Sequence, residues 1–187
     1  MKIEVVNGDI TLSKCEAIVN AANAHLQAGS GVCGAIFDAA GYDKLQDECN
    51  NIGYCKTGSA AITRGYNLLA KYVIHAVGPI YLNDEISEPL LRGAYLSSLD
   101  LAKKYEIKSI AFPAISTGVY GYPLQKGIKV MIETILSYTK NNDIFDKICL
   151  YCYKSEQYSL FKKILEESLK ENIWEEFLNY QIYLILK

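Results

Sequence analysis

Residues 17–36 read AIVNAANAHLQAGSGVCGAI, an apolar run that passes through small polar residues into a glycine-rich loop. The first five residues are nearly all apolar, which is typical of a strand covered on both faces. A helix is predicted directly after the loop, over residues 34–49. Strands, glycine-rich loops and helices in this order build parallel α/β sheets, which bind ligands at the carboxyl ends of their strands. The stretch therefore predicts an α/β domain with a ligand-binding loop.

The rest of the chain repeats this alternation of short apolar runs and longer helical segments. Strands are predicted at residues 3–6, 17–21, 60–63, 72–77, 109–114 and 147–153. Helices are predicted at residues 34–49, 88–105, 125–139 and 156–169. Strands that alternate with helices predict a mixed, mostly parallel sheet between helical layers.

The domain organisation is expected to be simple. No internal repeat, low-complexity stretch or linker divides the chain, so we expect one domain over residues 1–170. Residues 171–187 form an apolar C-terminal extension, which would be an exposed patch if it were free. We expect it to pack on the domain or on a partner, and the sequence leaves both open, although a monomer is favoured.

Composition excludes several classes of protein. The 187 residues include 19 basic and 21 acidic side chains, a formal net charge of −2. This balance argues against a general nucleic-acid surface, which needs clustered Lys and Arg. No apolar run approaches the roughly 18 residues of a membrane span, and the N-terminus does not resemble a signal peptide. We therefore expect a cytoplasmic protein that binds neither nucleic acid nor membrane.

The cysteines and histidines indicate no metal site. The six cysteines are expected to be free thiols in a cytoplasmic protein. Cys149 and Cys152 have a C-x-x-C spacing, but residues three apart on a strand point to opposite faces, so core thiols are favoured over a metal or redox pair. Only His25 and His75 could complete a zinc cluster. We expect no metal and no cofactor.

A second glycine-rich loop follows the fifth predicted strand, at residues 116–123, STGVYGYP. Glycines let a backbone approach phosphates closely, and helix N-termini present free N–H groups and a partial positive charge. Two such loops could hold the two phosphates of a diphosphate from both sides. Neither loop contains Gly-Lys-Ser/Thr or a clean G-x-G-x-x-G, so the P-loop and Rossmann motifs do not fit.

Taken together, the motifs resemble the macro-domain family. The matching segments, in order, are GDIT at 8–11, AIVNAAN at 17–23, GVCGAI at 31–36, TG at 57–58, YVIHAVGP at 72–79 and residues 111–123. The resemblance covers about residues 1–165. It implies a three-layer α/β/α fold that binds ADP-ribose. Many members of the family hydrolyse ADP-ribose from modified acidic side chains, or remove acetyl from O-acetyl-ADP-ribose.

The resemblance implies roles for residues at both ends of ADP-ribose. Asp9 is expected to accept a hydrogen bond from the adenine amino group, with the Ile10 backbone beside it, and Tyr153 is expected to stack on adenine. Alternatively, Asp9 caps a turn or helix before Thr11, and Tyr153 is an ordinary core or rim aromatic. Asn23 is expected to contact the distal ribose, the alternative being that it caps its own turn.

The diphosphate is expected to bind backbone amides of both glycine-rich loops, and the Tyr120 side chain is expected to cover the distal ribose. The residues expected to bind ADP-ribose are Asp9, Ile10, Asn23, Gly31, Val32, Ser116, Thr117, Gly118, Val119, Tyr120 and Tyr153.

One position departs from the hydrolase branch that the chain most resembles. In that branch the position of Cys33 is commonly an Asp, which is thought to position or activate water. A thiol normally titrates at about 8.5. At a helix N-terminus the pKa of Cys33 could fall. A cysteine nucleophile usually needs a base partner, and His25 is the nearest histidine in sequence. Alternatively, Cys33 is a small packing residue. Asn23 and Cys33 are the predicted catalytic residues, and His75 is expected to be structural.

The sequence predicts an enzyme that hydrolyses ester-linked ADP-ribose, from mono-ADP-ribosylated Asp or Glu of proteins or from O-acetyl-ADP-ribose. The bound diphosphate can itself accept a hydrogen bond from water, so catalysis does not require the missing Asp. The alternative is a non-catalytic reader of ADP-ribose or ADP-ribosylated proteins. We favour the enzyme because no second domain is evident for a reader to recruit.

Overall fold

The computed structural model describes the backbone of residues 1–185 and the side chains of residues 1–171. The strands are β1 (Lys2–Asn7), β2 (Ala17–Ala21), β3 (Ser59–Arg64), β4 (Tyr72–Val77), β5 (Ser109–Pro113) and β6 (Lys147–Cys152). The helices are α1 (Gly31–Ala40), α2 (Tyr42–Ile52), α3 (Asp84–Lys104), α4 (Leu124–Lys140) and α5 (Ser155–Ile185), with a short 3-10 turn at Ile10–Leu12.

The strands form one sheet in the order β1-β6-β5-β2-β4-β3. Every pairing is parallel except that of β3 with β4. The predicted mixed, mostly parallel sheet is therefore confirmed. Because β2 lies between β4 and β5, the loops that follow these three strands meet at one edge of the sheet.

Two apolar clusters cover the two faces of the sheet and make the three layers that the sequence predicts. One cluster contains side chains of α1 and α2, among them Phe37 and Leu45. The other contains side chains of α3, α4 and α5, among them Tyr95, Met131 and Phe161. Burial on both faces explains the continuous apolar runs of the strands.

The single helix predicted at residues 34–49 is wrong, because two helices occupy that stretch. The backbone of Gly41 has φ 93° and ψ 97°, which ends α1 and precedes α2. This left-handed conformation favours glycine, and a Cβ at this position would lie 2.9 Å from Nδ2 of Asn67. The first helix also begins at Gly31, three residues earlier than predicted, inside the glycine-rich loop.

The last helix, α5, runs from Ser155 to Ile185 and continues past the predicted end of the domain at residue 170. The prediction that residues 171–187 pack on the domain or on a partner concerns side chains outside the described residues, and it stays a prediction. In the part of the chain that the structure describes, no helix is long and apolar enough to cross a membrane.

The C-x-x-C pair is divided by the sheet, as predicted from strand alternation. Cys149 belongs to the cluster under α1 and α2, and Cys152 belongs to the cluster on the other face. All six cysteines are buried free thiols.

Candidate functional site

A cleft of about 470 Å³ opens where the loops after β2, β4 and β5 meet. This volume is typical of a small-molecule site. The structure brings eight of the predicted site residues into its lining, namely Asn23, Gly31, Val32, Cys33, Ser116, Gly118, Val119 and Tyr120. Both glycine-rich loops therefore face one cavity, as the diphosphate hypothesis requires.

The amino end of α1 forms one wall of the cleft. Gly31, the first residue of the helix, has φ 61°, so a side chain there would be strained. The first four N–H groups of a helix have no partner within the helix, and the side chain of Ser30 does not cap them. The N–H groups at Gly31 and Val32 are therefore suited to an anion in the cleft.

The loop after β5 forms the opposite wall. Ser116 has φ 66°, and its carbonyl oxygen accepts a hydrogen bond from the N–H of Tyr122 at 3.0 Å. The same loop is also joined to the segment after β4, because Tyr120 O accepts a hydrogen bond from the N–H of Tyr81 at 2.8 Å. Val119 is 88% exposed at the mouth of the cleft. This hydrogen-bonded frame leaves Gly118 and Val119 at the surface that faces the first loop.

Among the residues of this loop that were predicted to bind the ligand, Thr117 is the one that does not line the cleft. Its hydroxyl donates to the carbonyl oxygen of Ala114 at 2.8 Å. Its methyl group occupies the space over Gly127, where an added Cβ would lie 2.6 Å from Thr117 Cγ2. The side chain thus fixes the loop on α4, and only its backbone is left for a ligand.

Gly78, directly after β4, also lines the cleft and was not among the predicted site residues. A Cβ at Gly78 would lie 2.2 Å from Ser116 Oγ and 2.5 Å from Ile115 Cγ2. The loop after β5 therefore packs directly against the bare backbone of residue 78. A glycine at the end of a predicted strand was the available signal for this contact.

The Ser116 hydroxyl is buried at the base of this loop. It has no hydrogen-bond partner among the described residues. A buried hydroxyl without a partner is unfavourable, so this oxygen is a candidate donor or acceptor for a water or ligand oxygen that enters the cleft.

Asn23 lines the cleft and also holds its own loop. The side-chain oxygen accepts from the N–H of Gln27 at 3.1 Å, and the side-chain amide donates to Gln27 O at 2.6 Å. The alternative that Asn23 caps its own turn is therefore present in the structure. These bonds fix the orientation of the amide at the edge of the cleft.

The Cys33 side chain is buried in the first turn of α1. The amide of Asn20 donates to its sulfur at 3.6 Å. Burial raises the pKa of Cys33 in spite of its place at a helix N-terminus, so the thiol is protonated at neutral pH. The ring of His25 packs edge-to-face on Tyr54 instead, with 5.6 Å between centroids. These contacts favour the packing role for Cys33.

A buried polar network behind the cleft was missed by the sequence analysis. The Nδ1 atom of His75 lies 3.1 Å from Nδ2 of Asn20, and its Nε2 atom lies 2.9 Å from Oγ1 of Thr63. Burial lowers the pKa of His75 to about 4, so the imidazole is neutral. It accepts from Asn20 and donates to Thr63, and it thereby holds the amide that contacts Cys33. The structural role expected for His75 agrees with these contacts.

The residues predicted to hold adenine lie outside the cleft lining, at the ends of two neighbouring strands. Asp9 follows β1 and Tyr153 follows β6, and the N–H of Gly8 donates to Cys152 O at 3.0 Å. Asp9 Oδ1 accepts from the N–H and hydroxyl of Thr11, at 2.9 and 2.8 Å. The alternative role of Asp9 as a cap is therefore present.

Ile10 and Tyr153 differ in exposure. Ile10 is buried in the core, whereas the Tyr153 side chain is 81% exposed. An exposed aromatic ring beside the strand ends is available for stacking on a flat ligand. In the part of the chain that the structure describes, no group of three or more His, Cys, Asp and Glu side chains is arranged to hold a metal ion.

The class of protein follows from the family comparison. The family model described as the macro domain matches residues 19–131. The chain belongs to the macro domain family.

Curated relatives and solved structures agree with this assignment. The "O-acetyl-ADP-ribose deacetylase" of Escherichia fergusonii is 43% identical, over 89% of this chain and 96% of that protein. The human "ADP-ribose glycohydrolase MACROD2" is 44% identical, over 94% of this chain but only 42% of that protein. The structure of the Oceanobacillus iheyensis macrodomain with ADP has a TM-score of 0.84 at 36% identity, covering 89% of this chain and 91% of that one.

A second structure is described as a complex with the ligand that the sequence predicts. The Trypanosoma brucei macrodomain in complex with ADP-ribose has a TM-score of 0.81 and 37% identity. The match covers 86% of this chain and 68% of that one.

Proposed function

We propose that this chain binds ADP-ribose along the carboxyl edge of its sheet and hydrolyses ester-linked ADP-ribose. The substrates are mono-ADP-ribosylated Asp or Glu side chains of proteins, or O-acetyl-ADP-ribose. The observation that carries the proposal is that both glycine-rich loops line the same cleft. The names of the human and Escherichia fergusonii relatives support it.

The diphosphate is proposed to lie between the amino end of α1 and the loop after β5. Free N–H groups at Gly31 and Val32 face the cleft from one side, and the backbone of residues 116–120 faces it from the other. Backbone donors act here without Lys or Arg, as expected for a chain with a net charge of −2. This arrangement fixes the position of both phosphates.

The two ends of the ligand are proposed to follow from the strand order. Asp9 and Tyr153, after β1 and β6, hold adenine, and Asn23, after β2, meets the distal ribose. The strands β6 and β2 are separated by β5, so their ends lie about 10 Å apart. ADP-ribose has a distal ribose that can meet Asn23 while adenine lies at the other end, whereas AMP has no second ribose.

Hydrolysis is proposed to rely on positioning. Water cleaves the ester, and the products are ADP-ribose and a free carboxylic acid. Asn23 holds the distal ribose in the orientation for attack, and an oxygen of the diphosphate accepts a hydrogen bond from the attacking water. Cys33 is protonated at neutral pH and is a poor base, so we assign it the lesser part in catalysis.

The reader function is the second candidate, and the observation that favours it is Cys33. The side chain lacks a carboxylate, and its buried thiol offers no base at neutral pH. A reader would bind ADP-ribose with the same loops but release no product. A cytoplasmic location and a monomeric state belong to both candidates and stay predictions.

A turnover assay separates the two candidates. The purified chain is incubated with a protein mono-ADP-ribosylated on Glu and, separately, with O-acetyl-ADP-ribose, and released ADP-ribose is measured. We expect release that depends on Asn23, with Asn23→Ala as the depleted control. Tight binding of ADP-ribose with no turnover on either substrate would establish the reader and reject the enzyme.

A further inference from the structure

Two thiols that are distant in sequence are in contact on the face of the sheet that α1 and α2 cover. The sulfur atoms of Cys15 and Cys149 lie 3.5 Å apart, which is the contact distance of two sulfurs. The two residues are 134 positions apart, and both are buried. Nothing in the proposed ADP-ribose chemistry uses this pair.

The contact between the two sulfurs favours a thiolate at Cys15. The hydrogen bond from Cys149 lowers the pKa of Cys15, against burial and the charge of Glu4, which raise it, and the same contact raises the pKa of Cys149. The ammonium group of Lys147, two residues along β6, adds a weaker attraction for the Cys15 thiolate, although it is paired with Glu4 at 2.5 Å. Within the pair, ionisation therefore falls on Cys15 and not on Cys149, and the thiolate is the nucleophilic form of a thiol.

A disulfide would require the two sulfurs to approach each other. A disulfide requires an S–S distance of about 2.05 Å, so the sulfurs must move together by about 1.5 Å. Cys149 lies in β6, which is held between β1 and β5. Cys15 lies in the irregular segment before β2, where its N–H donates to Ser13 Oγ at 3.3 Å. Cys15 lies outside the strands, so its segment is the one that would move, although the neighbouring Glu16 is hydrogen-bonded to Ser109 and Tyr72.

We propose that Cys15 and Cys149 are a reversibly oxidised dithiol, which a small peroxide closes to a disulfide. The Cys15 thiolate attacks one peroxide oxygen, the O–O bond breaks, hydroxide leaves, and Cys15 becomes a sulfenic acid. The Cys149 thiol then attacks this sulfur, the S–S bond forms, the S–O bond breaks, and water leaves. The hydroxide takes up the proton that Cys15 lost on ionisation, so one hydrogen peroxide is reduced to two waters while two thiols are oxidised to one disulfide.

The disulfide would fasten the segment that carries the proposed adenine site. Residues 9–15 connect Asp9 and the 3-10 turn to Cys15, and β6 leads from Cys149 to Tyr153. A cross-link between positions so far apart in sequence restricts the unfolded chain strongly. Oxidation should therefore raise the thermal midpoint, and it should leave ADP-ribose bound because both loops of the diphosphate site are untouched.

Mass spectrometry of the full chain tests the proposal. The protein is treated with a small excess of hydrogen peroxide, unfolded, alkylated with N-ethylmaleimide and digested. We expect a peptide pair linked through Cys15 and Cys149, four alkylated cysteines, and complete reversal by dithiothreitol. Before oxidation, phenylarsine oxide, a reagent for paired thiols, should bind with a stoichiometry of one.

Matched variants give the test its controls. Cys15→Ser and Cys149→Ala should each abolish the link and the rise in thermal midpoint, whereas Cys55→Ser, at another buried thiol, should abolish neither. Two independent variants protect the test against one that folds poorly. Peroxide that oxidises single cysteines without a link, or that links any other pair in the wild type, would overturn the proposal. The readout does not involve ADP-ribose turnover, so it is independent of the proposed function.

Discussion

Replacing Gly78 with alanine tests whether the close approach between β4 and the loop after β5 sets the geometry of the cleft. A Cβ at residue 78 would lie 2.2 Å from Ser116 Oγ and 2.5 Å from Ile115 Cγ2. Both distances are about 1 Å shorter than an ordinary contact. The side chains of Ser116 and Ile115 must therefore shift by about this amount, and because both are buried we expect the loop to move with them.

The magnitude follows from two effects. Overpacking of a tight site costs about 1–3 kcal/mol, and each kcal/mol lowers the thermal midpoint of a domain of this size by roughly 2–4 °C. We expect Gly78→Ala to lower the midpoint by about 5 °C. A hydrogen bond to a charged group contributes about 1.5–3 kcal/mol, so displacement of the phosphate-facing backbone should weaken ADP-ribose binding by about tenfold or more.

The assays are differential scanning calorimetry and titration of ADP-ribose, with Gly118→Ala as the matched control. Gly118 lines the same cleft, but a Cβ there would meet no atom within 4 Å. Its thermal midpoint should stay at the wild-type value. The double variant Gly78→Ala with Ser116→Ala removes one of the two clashing atoms and should recover part of the lost stability. If Gly78→Ala matches the wild type in both midpoint and affinity, the close-approach argument is refuted.

Two further predictions concern the side chains around the cleft. Asn23→Ala should lower hydrolysis much more than Cys33→Ala, because a misplacement of about 1 Å at the reacting ribose costs about a hundredfold in rate; Cys33→Asp should restore a carboxylate and raise the rate. Initial rates with a mono-ADP-ribosylated acceptor test this, and a reversed order would make the thiol catalytic. The second prediction is that stability falls as the pH drops from about 6.5 to 4, because unfolded His75 binds a proton in this range and the buried ring, with its pKa lowered to about 4, does not. The loss should reach about 3 kcal/mol, measured by urea unfolding at several pH values, and His75→Gln should flatten the slope; an equal slope in both proteins would contradict it.

The strands were predicted well because their physical signal is local. Residues of β2 and β4 are buried on both faces, so each strand appears in the sequence as a short, almost continuous apolar run. The bounds of both strands, Ala17–Ala21 and Tyr72–Val77, match the predictions. The glycine-rich loops were equally visible, because glycine and small polar residues interrupt those runs.

The features that were missed depend on contacts between distant residues. The break at Gly41 is accompanied by the approach of Asn67, which a helical pattern does not reveal. The raised pKa of Cys33 comes from burial, whereas its place at a helix N-terminus alone favoured a lowered value. The contact between Cys15 and Cys149 could not be predicted without the order of the strands. The sequence analysis considered only the C-x-x-C spacing of Cys149 and Cys152.

Calorimetric titration of the purified chain with ADP-ribose and with AMP tests the central claim most directly, because only ADP-ribose has the diphosphate and the distal ribose that the two loops and Asn23 are proposed to hold. We expect ADP-ribose to bind with one site and AMP to bind much more weakly. Equal affinities for the two ligands, or no heat of binding with ADP-ribose, would contradict the account.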